Sequence, residues 1–218
     1  MMMDTVVGQS NAARPQEASW GSIREADRVA AAEAAIESSV AVPPATAALW
    51  AILATVVMLF AGFSSAYLIR RASPDWIPIY APPTLWINTA LLLFSSLALE
   101  IAKTSRKFGK QAAFRGWFLA AVGLGGGFLA GQGMVWSELA GQGIFLPTSP
   151  HGSFFYMLSA VHAFHVTAGM LVLGVILIRC WKGVGKVVAG DPVNLCAAYW
   201  HFVTGIWVYL YWLLFVWR

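Results

Sequence analysis

From about residue 46 onward the chain alternates long apolar runs with short polar breaks, five times over. The runs cover about 46–69, 84–102, 116–136, 152–178 and 195–217, each close to or above the ~20 residues that an α-helix needs to cross a bilayer core. The breaks carry the punctuation expected between helices: Arg70-Arg71 followed by Ser73-Pro74-Asp75-Trp76-Ile77-Pro78, then Pro82-Pro83. This pattern predicts an all-α integral membrane protein with five transmembrane helices, whose backbone polar groups are satisfied inside each span. Residues 1–45 form a polar, alanine-rich tail, and residues 46–218 the membrane domain. Within the tail, Ser22-Ile23-Arg24-Glu25 has the form of a capping box ahead of an alanine-rich run, which predicts a short surface helix.

Composition excludes a soluble domain: 59% of residues are hydrophobic and 11% charged. The net charge of +4 does not indicate a nucleic-acid partner, because the basic residues cluster at the ends of apolar runs. Their distribution sets orientation instead. Five Lys or Arg lie between Lys103 and Arg115, three between Arg179 and Lys186, and three in the tail, against Arg70, Arg71 and Arg218 on the other side. Eleven against three places the N-terminus in the cytoplasm and the C-terminus outside. Arg70 and Arg71 oppose the trend, and read either as a site for lipid phosphates or an acidic partner or as a snorkelling anchor.

Gly123-Leu124-Gly125-Gly126-Gly127 lacks the preceding strand that a nucleotide-binding loop requires. Gly123, Gly127 and Gly131 recur every four residues and predict a close helix–helix approach. His162, His165 and His201 raise the possibility of a haem or metal site. At 1.5 Å per residue, His165 lies roughly 20 Å from the cytoplasmic end of its span and His201 about 9 Å into its own, a mismatch that one iron cannot bridge. His162 and His165 project from one face of one helix, so they cannot take opposite axial positions. The reading without a metal is that His162 and His165, with Asn88 and Gln132, make polar contacts across helix interfaces. Glu100, with Lys103 three residues on, reads as an ion pair at the cytoplasmic edge.

Four segments together resemble subunit III of the haem-copper respiratory oxidases, the cytochrome c oxidase family. They are His151-Gly-Ser-Phe-Phe-Tyr156 with Val161-His-Ala-Phe-His-Val166, Ala198-Tyr-Trp-His-Phe-Val203, Trp86-Ile-Asn-Thr89, and Leu59-Phe-Ala-Gly-Phe63. They occur in consistent order over about 46–218, and five spans match the short bacterial form. The resemblance implies a multi-pass protein of the bacterial inner membrane, with two helices set against three in a V that holds phospholipids. It implies contact with catalytic subunit I, association with subunit II and other respiratory subunits, and support of proton uptake. Haem and copper then reside in subunit I, with further copper in subunit II if cytochrome c is the donor; this chain binds no metal and has no catalytic residue.

Two positions depart from the family: Val56 stands where a glutamate is frequent, and Thr204 where a carboxylate is frequent. Roles tied to those acids do not transfer. Lys103, Arg106, Lys182 and His201, each where a helix meets the cytoplasmic interface, are the candidates for lipid phosphates. The competing readings are an accessory subunit of a nitric oxide reductase cluster and, from another class, a b-type haem protein.

Overall fold

A computed structural model describes residues 23–33, 43–147, 149–181 and 192–217. The chain divides into two units, residues 1–42 and 43–218. In the first, residues 23–33 form a helix, α1, whose Ile23 and Val29 are exposed. In the second, five helices are long and apolar enough to cross a membrane: α2 (Pro44–Arg71), α3 (Pro83–Lys107), α4 (Gln111–Gly141), α5 (Pro150–Trp181) and α6 (Pro192–Tyr211), the last continuing as a π-helical turn over Trp212–Val216. Among the described residues there is no strand.

The helices occupy the five apolar runs and extend past them, since a helix continues through the interface until sequence stops it. Four of the five begin at a proline, Pro44, Pro83, Pro150 and Pro192, a residue suited to the first helical position, where its missing N–H has no intrahelical partner to lose. Between α3 and α4 only three residues intervene, and Gly109 adopts φ 72° there. That left-handed turn suits glycine and folds the two helices back on each other.

α6 is the hub. Half of its most apolar window is buried, against 17% for α2, and it packs on α2, α3 and α5. Its Trp200 lies where Gly125 of α4 and Gly169 of α5 leave room: a Cβ on Gly125 would sit 2.8 Å from that indole, and one on Gly169 at 3.2 Å. The glycine reading is thereby refined. Gly131 faces Asn88 of α3 so closely that a Cβ would collide with its amide, and Gly127 faces Leu91, but Gly123 meets nothing within 4 Å. The second glycine that carries a close approach is Gly125, outside the every-fourth pattern.

Candidate functional site

A polar seam runs the length of α3. At its N-terminal end Thr84 donates to Glu138 of α4 at 2.8 Å. One turn inward Asn88 Nδ2 lies 3.1 Å from Gln132 Oε1, and with the Asn88 amide turned over its nitrogen reaches the Phe128 carbonyl at 3.0 Å. Thr89 accepts from the Trp207 indole at 3.1 Å. Ser95 donates to the Ala121 carbonyl at 2.7 Å and accepts from the Trp200 indole at 3.1 Å. Every partner lies on α4 or α6, so the seam fixes the register of three helices in a solvent that offers no alternative partners.

At the C-terminal end of α3 the seam reaches a charged cluster. Glu100 accepts from Lys103 at 2.8 Å and from His201 Nε2 at 3.0 Å, while His201 Nδ1 lies 2.5 Å from the Ser96 hydroxyl. In the neutral ring, Nε2 carries the proton toward the carboxylate and Nδ1 accepts from Ser96. Ser–His–Glu is the order of a hydrolytic triad, but Ser96 lies within α3, where neighbouring N–H groups are spent on the helix and supply no oxyanion donors. The arrangement is a clasp between α3 and α6. Lys103 and Arg106, with Glu100, Thr104, Lys107 and the first turn of α6, line a cavity of about 380 Å³. His201 is directed at Ser96 and Glu100, and Lys182 lies outside the described residues.

At the start of α5 His151 joins three elements. Its Nδ1 accepts from the Ile79 N–H at 2.8 Å, so Nε2 carries the ring proton and donates to the Leu214 carbonyl at 3.1 Å. Leu214 lies in the π-helical turn, where α6 ends and carbonyls lose their intrahelical partners. Trp76 stacks on the imidazole at 5.0 Å and 26°. The α2–α3 loop, the start of α5 and the end of α6 are pinned at one side chain.

Two expectations need correction. His165 does not bond across an interface: its Nδ1 donates to the Val161 carbonyl of its own helix at 2.8 Å, while its backbone carbonyl takes the Tyr199 hydroxyl at 3.1 Å. His162 has no hydrogen-bond partner at either ring nitrogen among the described residues. Arg70 and Arg71, read either as a lipid or partner site or as an anchor, both have partners within the chain. Arg70 pairs with both carboxylate oxygens of Asp75, at 2.7 and 2.5 Å, and holds that carboxyl below its ordinary range. Arg71 donates to the Trp217 carbonyl at 2.7 Å and lies 5.4 Å from its ring centre, tying the end of α2 to the end of α6.

His151, Ser96 and Glu138 were not picked out as contact residues by sequence. A histidine directly after a helix-starting proline, near an aromatic loop, was the available signal for the first.

Five apolar helices, with the polar side chains of α3 turned onto their neighbours, define a polytopic membrane protein built for assembly of its own spans. Among the described residues no group of three or more His, Cys, Asp or Glu is placed to hold a metal ion. The family model for cytochrome c oxidase subunit III matches residues 52–218. Similar proteins include cytochrome c oxidase subunit 3 of Corynebacterium diphtheriae, 27% identical over 166 residues, covering 73% of this chain and 81% of that protein. The probable subunit 3 of Nocardia farcinica is 30% identical over 169 residues, with the same coverage. That of Thermostichus vulcanus is also 30% identical over 169 residues, covering 73% of this chain and 80% of its own length. The chain belongs to the cytochrome c oxidase subunit III family, and so to the subunits of an oxidoreductase complex in a membrane.

Proposed function

We propose that this chain is a non-redox structural subunit of a proton-translocating terminal oxidase that reduces oxygen to water in a bacterial inner membrane. The observation that carries the reading is the family match over 52–218, which takes in all but the first turns of the five-helix unit. Its role is to stabilise catalytic subunit I and sustain proton uptake there, with haem and copper in the partner subunits and no catalytic residue of its own. The engagement of both ring nitrogens of His151 and of His201 in packing contacts supports that assignment. The N-terminus faces the cytoplasm, as the eleven-to-three charge distribution argues.

In this reading two helices stand against three in a V, as in the family. Phospholipid fills the cleft, and Lys103, Arg106, Lys182 and His201 hold phosphates at the cytoplasmic edge. The cavity beside Lys103 and Arg106 supports the first two. His201 joins only by leaving Glu100 or Ser96. Changing all four to alanine in the intact complex is expected to lower bound phospholipid and shorten the time over which turnover persists. Full phospholipid content with undiminished turnover would sink the assignment.

A further inference from the structure

Three rings from three helices close around His162. Trp207 of α6 faces it with centroids 5.0 Å apart, Phe128 of α4 meets it edge-on at 5.9 Å and 88°, and Phe60 of α2 lies at 6.4 Å. The one polar atom among those rings, the Trp207 indole nitrogen, is already spent on Thr89. A neutral imidazole carries one N–H donor and one bare acceptor nitrogen. Both are brought to the interior of the bundle, and neither has a protein partner among the described residues.

A third orphan sits nearby in the fold. The Gln132 carboxamide holds the other buried side-chain atom without a partner among the described residues. Gln132 lies on α4 one turn beyond Phe128, whose ring touches His162. With the Asn88 amide turned over onto the Phe128 carbonyl, the Gln132 amide turns with it, donating to the Asn88 oxygen and leaving its own oxygen open. The set therefore offers one N–H donor and two acceptors, each of which is costly to leave unmade in an apolar interior.

That chemistry selects a small neutral molecule able to accept and donate at once, which is the complement of water. We infer that His162 and Gln132 frame an internal hydration site between α4 and α5, holding one or two water molecules. Because the two ring nitrogens point away from each other, satisfying both takes two waters. The site extends the Asn88–Gln132 contact to α5 and links α3, α4 and α5 at one level of the membrane.

The test uses the full-length chain in whichever complex it purifies with, so it does not depend on the oxidase reading. An electron cryo-microscopy map, detailed enough to show buried waters elsewhere in that complex, should contain density at hydrogen-bonding distance from His162 Nδ1 or Nε2. Infrared spectra should contain a buried-water O–H stretch that shifts in ¹⁸O-labelled water and is lost in both His162→Phe and Gln132→Leu. A wild-type map with side chains packed against both nitrogens and no density at either overturns the inference, whether or not the variants assemble.

Discussion

His151 and His162 stand on the same helix, three turns apart, both 1% exposed and both ringed by aromatic side chains. One has a backbone partner at each ring nitrogen, and the other has no protein partner at either among the described residues. The difference is one of position along the span. His151 sits where the α2–α3 loop leaves an N–H free and the end of α6 leaves a carbonyl free, so an imidazole can satisfy both. His162 sits mid-span, away from loops and helix ends that leave backbone groups free, among rings whose one polar atom is already engaged. Helix ends here are joined by hydrogen bonds, and the middle chiefly by shape, with α3's seam as the polar exception.

The largest effect expected is at His151. His151→Phe keeps a ring beside Trp76 but strands the Ile79 N–H and the Leu214 carbonyl, and should cost about 2–4 kcal/mol in denaturant unfolding of the purified complex. Next come the mid-span close approaches. Gly131→Ala forces a methyl into the Asn88 amide and should cost about 1–3 kcal/mol. Gly123→Ala, which meets nothing within 4 Å inside this chain, serves as the control, and a comparable loss there would locate a contact with another subunit.

His162→Phe should cost at most about 1 kcal/mol, since removing a group together with its need for partners is close to neutral. A loss as large as that of His151→Phe would erase the contrast between the two sites. At the clasp between α3 and α6, Glu100→Gln should cost below about 1 kcal/mol, because the carboxylate is half exposed and solvent screens the pairing.

The smallest effect expected is at Asp75. Arg70 lowers its pKa in the folded state, so the stabilisation is complete above the ordinary carboxylate range and is lost as pH falls through the lowered folded value. Asp75→Asn should therefore abolish a small acid-dependent drop in thermal midpoint while leaving neutral-pH behaviour nearly unchanged. An unaltered acid profile would remove the pair from the account.

The five spans were legible because apolar runs of bilayer length have few alternatives, and the prolines at 44, 83, 150 and 192 mark where helices begin. The Glu100–Lys103 pair was legible for a similar reason, being a matter of helix spacing alone. The role of His151 was not, because its partners are backbone atoms whose availability depends on a loop and on a π-helical turn distant in sequence. The same holds for Arg71, whose acceptor lies 146 residues away. Gln132 and Asn88 were picked out as buried polar residues, but which helix each would meet depended on the Gly131 approach, a tertiary fact.

The most direct test of the central claim is to purify the full-length tagged chain in mild detergent and record the absorption spectrum before and after its partners are stripped away. A subunit of the proposed kind emerges with haem- and copper-bearing oxidase subunits, and on its own shows no Soret band. A chain that purifies alone and retains a Soret band would contradict the account.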